Sequence, residues 1–440
     1  MNRTIEPRVL KGFRDFLPEQ EAPRAAMLRA IADAFETCGF APLSTPSIEY
    51  RDILTGKYGD EGEKLLYHFT DHGDRAVALR YDLTVPLARV VAQHPEIPRP
   101  FKRYQIGTVW RAEKPAHGRF REFIQCDADI VGSSSALADA ECVIAGITAL
   151  RSLGVERFEV RIGHRAILQA LLVQQRIEDP ATQAAALRLI DKADKVGWDA
   201  VAQMLADLPG VGAERAQGLV ASLTAGSGPL LSLDSLAPEA AAHLERVVEA
   251  LRTYGVGDQV RVDLSIARGL DYYTGTVFET SLLDRPGVGS VMSGGRYDDL
   301  LRLFGEQTCP AVGLSIGVDR LFEALCELGC APQARVGPAC VVCPIGGSSE
   351  SAAIALLARL HEARVASEIV LDPSWRLKKQ LQYAARRDAR FALILGEDEV
   401  ASGLVTVKDL RGGGQQCVHV AEIANFLVEA VRTPERTRGI

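Results

Sequence analysis

The chain has 440 residues, 47% of them hydrophobic and 24% charged, with a formal net charge of -7 at pH 7. That hydrophobic share supports at least one large core and two or three domains, and it excludes a disordered chain. The acidic balance excludes a surface coated in basic charge for indiscriminate nucleic-acid binding, so any RNA partner is expected on a local patch.

No run of about eighteen apolar residues occurs, and the first segment, "MNRTIEPRVLKGFRDF", lacks the apolar stretch of a signal peptide, so a cytoplasmic protein without a membrane partner is expected. The nine cysteines include one C-x-x-C pair, Cys340 and Cys343 in "ACVVCPI". That run reads as a buried strand, and no second pair stands at zinc-site spacing. Small core thiols are expected, and structural zinc is not.

In chain order, residues 20–38 carry Met27, Leu28, Ile31, Ala34 and Phe35 at helical spacing before Gly39 stops the helix. "FAPLSTPSIEY" reads as extended, with two prolines suited to an edge or a turn. From about 76 to 132, short strands surround a helix, "TVPLARVVAQH".

Within 121–130 a period of two puts Arg121, Phe123, Gln125, Asp127 and Asp129 on one face of a strand, and Glu122, Ile124, Cys126, Ala128 and Ile130 on the other. An arginine, an aromatic, an amide and two acids in line are costly to bury without partners or ligands. The preceding "VWRAE" and the polar "KPAHGRF" make an antiparallel hairpin with Arg111 and Arg121 at its loop base. Paired guanidinium forks there suit a phosphate.

Residues 165–255 are rich in alanine and leucine at helical spacing, an inserted helical module. Its "LPGVGAERA" matches a helix-hairpin-helix element, but no basic flank accompanies it and a DNA partner is not expected. Strand pattern returns at "QVRVDLSIA", with Val262, Leu264 and Ile266 inward and Arg268 at the strand's end. There follow "LDYYT" between Gly269 and Gly275, more strand to about 282, and a helix in "RYDDLLRLF". In "PAVGLSIGVDR" a strand with Gly313 and Gly317 leaves room for a flat ligand, and Arg320 reaches into that space from the next helix.

Residues 331–337 read as a linker, and 338–432 alternate strand and helix as in a small α/β domain around a mostly parallel sheet, followed by a tail at 433–440. One of its helices carries Arg376, Lys378, Lys379, Arg386, Arg387 and Arg390 against Asp388. Leu377, Leu381, Ala384 and Ala385 would seat that helix on the sheet.

Together these segments resemble the class II aminoacyl-tRNA synthetases, and most closely the histidyl-tRNA synthetase family. "VWRAE" with "GRFREF" is similar to the second signature motif, "AVGLSIGVDRL" to the third and "GFAPLSTPSIE" to the first, which lies at the dimer interface in that family. "RGLDYYTGTVFE" resembles a histidine-specific stretch. A degraded form of it occurs in a regulatory relative from histidine biosynthesis that no longer charges tRNA. That alternative usually lacks the C-terminal domain and the signature arginines, and both are present here.

The resemblance implies an α+β catalytic domain over residues 1–330, a six-stranded antiparallel sheet flanked by helices and carrying the helical insertion, then an α/β anticodon-binding domain. It implies a homodimer that joins histidine to tRNA(His) with ATP and Mg2+, through histidyl-adenylate. Arg111 and Arg268 would be the catalytic cations. Asp82, Leu83, Thr84, Gln125, Asp129, Tyr272 and Tyr273, with both arginines, would bind histidine. Glu113, Arg121, Phe123 and Arg320, with Arg111, would bind ATP.

Overall fold

The first amphipathic segment folds as the helix Pro18–Thr37, whose buried positions are Met27, Ile31, Ala34 and Phe35 together with Arg24. The computed structural model describes residues 5–55, 65–115, 120–224, 236–267, 273–305, 308–372 and 374–432. It divides into two units, Met1–Phe16 with Arg24–Pro332, and Leu17–Pro23 with Gln333–Ile440. Among the described residues no helix is long and apolar enough to cross a membrane.

In the first unit the prolines leave short extended pieces, β1 (Ala41–Pro42) and β2 (Ile48–Tyr50). Strand β2 joins β3 (His68–Thr70) and β4 (Ala76–Leu79) in a small sheet of order β2-β4-β3. The main sheet adds β5 (Phe101–Trp110), β6 (Glu122–Val131), β7 (Phe158–His164), β8 (Val260–Val262), β9 (Thr276–Leu282), β10 (Ser290–Arg296) and β11 (Ala311–Gly317) to β1. Its order is β1-β5-β6-β11-β10-β9-β7-β8.

Every pairing among the six central strands is antiparallel. The short strands β1 and β8 add in parallel at the two edges. The six-stranded antiparallel sheet is therefore present, widened by one short strand on each side. The helix Ala136–Ser152 packs so close to it that a Cβ on Gly146 would stand 2.1 Å from the Met292 sulfur.

Between β7 and β8 the described chain is helical, from Arg165–Gln174 through Pro180–Ile190, Ala193–Val196, Trp198–Ala206 and Gly212–Thr224 to Pro238–Thr253. The "LPGVG" turn carries φ of 74° at both Gly210 and Gly212, with open space around each. The backbone turn alone requires both glycines there.

Two expectations fail in this unit. The strand "QVRVDLSIA" stops pairing at Val262, because the Asp263 carboxylate accepts from the Ser265 amide at 2.9 Å and closes a turn. Val262 and Leu264 still pack half-buried against the core and Ile266 is buried, so the inward residues hold although the strand does not continue. The helix expected from Arg296 is instead the end of β10, and only Leu300–Phe304 turns, as a 3-10 helix. Glycines disguise β10: a Cβ on Gly294 would stand 2.2 Å from the Gly313 carbonyl, so this strand is chosen for close backbone approach over strand propensity.

The second unit holds β12 (Cys340–Pro344), β13 (Ser367–Ile369), β14 (Phe391–Leu395), β15 (Leu404–Asp409) and β16 (Gln415–His419), in the order β13-β12-β14-β15-β16. Strand β12 is parallel to β13 and β14, whereas β14, β15 and β16 pair antiparallel. The mostly parallel sheet is thus corrected to a mixed one. Asp409 accepts from the amides of Arg411 and Gly412 at 2.9 and 2.8 Å, and so short a turn allows no parallel crossover.

Cys340 packs into the core on one face of β12 and Cys343 into the core on the other. Burial pushes both thiols up to about 12. Thiols on opposite faces of one strand cannot share a metal ion. The basic helix, Leu377–Arg386, buries Gln380 and Ala384, while Ala385 is exposed, contrary to expectation. The Gln380 amide is tolerated in the interior because it donates to the Pro344 and Trp375 carbonyls at 2.7 and 2.8 Å.

Candidate active site

The alternation on β6 places Phe123, Gln125, Asp127 and Asp129 on one face. Opposite them stand Val109, Gly107, Gln105 and Arg103 of β5. On the other side Gly317, Ser315 and Gly313 of β11 face Gln125, Asp127 and Asp129. A cleft of about 440 Å³ is lined by Arg111, Glu113, Phe123, Gln125, Tyr273 and Arg320, with Ser293, Ser315, Gly317 and Asp319 among its other walls. Six residues named from the sequence, drawn from three distant segments, meet in this space.

Arg111 is held from two sides. Its guanidinium carbon lies 5.1 Å from the centre of the Phe123 ring, and its Nε donates to the Tyr81 carbonyl at 3.2 Å. Arg320 leaves the first turn of the helix Val318–Glu327 and donates to the Ser290 carbonyl at 2.7 Å. That turn is anchored by Asp319, which accepts from Arg14 at 2.8 Å, from Arg24 at 3.4 Å and from the Ile124 amide at 3.1 Å. Asp319 is not among the expected residues, because in the sequence it looks like any charge at a helix start.

The two glycines of β11 differ. A Cβ on Gly317 would find nothing nearer than 3.9 Å, so the space beside it is open. A Cβ on Gly313 would stand 1.9 Å from Asp129 Oδ1. Room for a ligand holds at the first and is corrected at the second, where a carboxylate of the protein fills the gap.

Asp129 lies deeper along the face than Gln125. Arg103, itself fully buried, brings Nη2 to 2.7 Å from Asp129 Oδ2, and the Tyr297 hydroxyl donates to Oδ1. Asp127 is one strand step nearer the cleft. Burial pushes its carboxyl up to about 7, opposed by Arg103 and reinforced by Asp129 and Asp82. Burial also raises Asp129, again against Arg103. Arg103 and Tyr297 are absent from the expected set: the first shares a face with Gln105 and was findable by extending the alternation one strand back, whereas the second follows the disguised strand β10.

The remaining expected residues stand around this centre. Asp82 is buried and accepts from the Val85 amide at 3.1 Å. Leu83 is wholly buried, its carbonyl accepts from Arg103 at 3.2 Å, and Thr84 opens the helix Thr84–Gln93. Arg121 folds over Gly12 and donates to the Glu113 and Lys11 carbonyls at 2.9 and 3.3 Å, tying the loop base to the N-terminal segment. Arg268, Gly269, Asp271 and Tyr272 lie outside the described residues. Tyr273 lines the cleft, with its ring 2.9 Å from where a Cβ on Gly295 would be.

Just beyond, Arg296 donates to Asp139 from Nε at 3.2 Å, and also from Nη2. Its carbonyl accepts from the Thr274 amide at 2.7 Å, so this buried pair anchors the backbone that follows Tyr273.

An antiparallel sheet of this order, with arginines from a hairpin and from the helix after its glycine-marked strand facing one cleft, defines a class II aminoacyl-tRNA synthetase. Residues 12–321 match the histidyl-tRNA synthetase family and residues 339–430 the anticodon binding domain. The chain belongs to the histidyl-tRNA synthetase family. It is 42% identical to the histidine–tRNA ligase of Rhodopirellula baltica, over 97% of this chain and 99% of the relative. It is 38% identical to that of Wolinella succinogenes, over 96% and 98%. The crystal structure of histidyl-tRNA synthetase from Nostoc sp. superposes with a TM-score of 0.86 at 30% identity, covering 97% of this chain and 100% of that one. A Bacillus halodurans structure described as an ATP phosphoribosyltransferase regulatory subunit/histidyl-tRNA synthetase shares the fold, with a TM-score of 0.75 at 23% identity over 90% and 99%.

Proposed function

We propose that the cleft holds MgATP and histidine end to end, and that this is where the chain, a histidine–tRNA ligase, forms histidyl-adenylate. The convergence of Arg111, Glu113, Phe123, Gln125, Tyr273 and Arg320 on one cavity carries the reading. The histidine carboxylate attacks the α-phosphorus, a new O–P bond forms, and the bond to the β-phosphate oxygen breaks to release pyrophosphate. A hydroxyl of the terminal tRNA adenosine then attacks the carbonyl carbon, and AMP leaves.

Arg111 neutralises charge on the α-phosphate and the attacking carboxylate, together with Arg268, whose part rests on the family resemblance. Fixed cations of this kind lower a barrier without reorganising, by about 3 to 4 kcal/mol each. Phe123 stacks on adenine, Glu113 meets its amino group, and Arg320 takes the γ-phosphate with support from Arg121 at the loop base. Gln125, with Asp82, Leu83 and Thr84, receives the α-amino group. Asp129, Tyr272 and Tyr273 read the imidazole, which offers one donor and one acceptor. Asp129 acts from below, its position set by Arg103 and Tyr297.

Residues 338–432 serve as the anticodon-binding domain for tRNA(His), and the protein works as a cytoplasmic homodimer. Exposure of Ile48, at 47%, on the segment that resembles the first signature motif, and of Tyr50, at 53%, just after it, supports an interface there. Pyrophosphate exchange with each of the twenty amino acids tests the activity. Exchange with histidine alone is expected; exchange with another amino acid but not histidine defeats the specificity, and no exchange at all favours the regulatory alternative. Gel filtration at the monomer mass counts against the dimer.

A further inference from the structure

The chain that carries Tyr273 past the cleft joins the main sheet only afterwards, where Val277 pairs with Gly295. Between those points Thr274 is held by bonds outside the ladder. Its amide donates to the Arg296 carbonyl at 2.7 Å, and its hydroxyl oxygen accepts from the Asp298 amide at 3.0 Å. A backbone amide only donates, so the one hydroxyl proton of Thr274 is left to give away. It goes to Asp298 Oδ2 at 3.0 Å; the Arg296 carbonyl stands at 3.4 Å and already takes the Thr274 amide. Thr274 and Asp298 thus make a reciprocal clamp.

The clamp is tied to the opposite wall. Asp298 Oδ1 accepts from Arg296 Nη1 and from the amide of Ala311, each at 3.3 Å. Ala311 begins β11, whose other end brings Ser315 and Gly317 to the cleft. The Tyr273 ring rests on Gly295, so near that a Cβ there would stand 2.9 Å from it. A flat glycine surface gives the ring a floor without a side chain to stop it sliding, so its place depends on how the adjoining backbone is held.

We infer that Asp298 is a positioning residue for the amino-acid substrate: acting through the Thr274 hydroxyl, it fixes the backbone that aims Tyr273 into the cleft. The inference rests on the reading of Tyr273 given above, and it brings in two residues to which the resemblance assigns no part.

Three variants probe the clamp. Thr274→Val removes the hydroxyl at nearly constant shape, and Thr274→Ser keeps it. Asp298→Asn supplies one acceptor oxygen where the carboxylate supplies two. Ala311 and Arg296 claim that oxygen, the NH2 turns toward Thr274, and the Thr274 proton loses its acceptor. In pyrophosphate exchange, Thr274→Val and Asp298→Asn should each raise the histidine KM about 3- to 10-fold, the size of one neutral hydrogen bond, and hold the KM for ATP within about twofold. Thr274→Ser should restore both KM values. Tyr273→Phe should lose about as much for histidine, and adding Thr274→Val to it should cost little more, because the clamp then has no phenol to aim. Should Thr274→Val fold poorly, Asp298→Asn carries the same test with both backbone amides of the clamp in place.

Equal rises in the KM for histidine and for ATP, or losses that multiply when Thr274→Val is added to Tyr273→Phe, overturn the proposal, because the clamp then serves the fold alone. If Tyr273→Phe weakens histidine but Thr274→Val and Asp298→Asn do not, the clamp is wrong and the reading of the cleft survives. If Tyr273→Phe leaves histidine unchanged, that reading fails at this residue and the clamp falls with it.

Discussion

The Arg111 guanidinium carbon lies 5.1 Å from the centre of the Phe123 ring while Nε of the same side chain donates to the Tyr81 carbonyl. A planar fork can satisfy both contacts, and an ammonium cannot. Arg111→Lys keeps the charge and loses the geometry. Its turnover in histidine-dependent pyrophosphate exchange should fall about 10²- to 10³-fold, the usual effect of removing one transition-state donor, with an unchanged circular dichroism spectrum. Turnover within a few-fold of the parent would remove Arg111 from the chemistry.

Phe123 offers its ring to the cleft as well as to Arg111. Base-on-aromatic stacking contributes about 1 to 3 kcal/mol, so Phe123→Leu should raise the KM for ATP by roughly 5- to 100-fold. The KM for histidine should move much less. Equal changes in both would show that the ring shapes the whole cavity and does not bind the base.

The glycines of β11 separate folding from binding. Alanine at Gly313 would drive a methyl to 1.9 Å from Asp129 Oδ1 and disturb the buried pair with Arg103. Gly313→Ala should lower stability by about 2 to 4 kcal/mol, read as a depressed melting temperature. Alanine at Gly317 meets nothing within 3.9 Å. Gly317→Ala should melt like the parent yet bind ATP more weakly, because the methyl occupies space the nucleotide uses.

How much of this is legible in the sequence depends on whether the signal is local. The period-two face of β6 and the helix Pro18–Thr37 are legible because each residue's environment repeats within a few positions. Strand β10 is hidden because Gly294 and Gly295 report contacts with β9, β11 and the Tyr273 ring, which no window of neighbours contains. The site is half legible for the same reason. Arg111, Glu113, Phe123, Gln125, Tyr273 and Arg320 sit in motifs with a recognisable pattern, whereas Arg103, Tyr297 and Asp319 gain meaning only from residues 26, 168 and 195 or more positions away in the chain.

The helix Leu377–Arg386 leaves Arg376, Lys378 and Arg386 exposed at or beside it, while Arg387 pairs with Glu368 at 3.1 Å and Lys379 lies 4.0 Å from the centre of the Trp375 ring. The exposed three are the cations to change. Reversing Arg376, Lys378 and Arg386 to glutamate should raise the KM for tRNA and flatten its dependence on salt, by about one unit of logarithmic slope for each phosphate that is no longer neutralised. Pyrophosphate exchange, which needs no tRNA, should be untouched. An unchanged salt slope would mark this face as merely solvated.

His164 ties stability to pH. Its imidazole is lowered to about 4, chiefly by burial and then by His243 and Arg296, with Asp139 acting in the opposite direction. The ordinary value is 6.5. Between those limits the unfolded chain takes up a proton that the folded one refuses, so stability falls as pH drops through that window and recovers above it. The shift corresponds to a contribution on the order of 3 kcal/mol, fully lost below the lower limit. Carboxylates also titrate there, and a matched variant must separate them. His164 Nδ1 accepts from the Ala166 amide at 3.2 Å and caps the helix Arg165–Gln174, a part asparagine also plays. His164→Asn should therefore keep the cap and lose the titration. Urea midpoints measured at pH 7 and pH 4.5 should fall less in the variant than in the parent; an equal fall would mean that His164 takes up its proton without unfolding the protein around it.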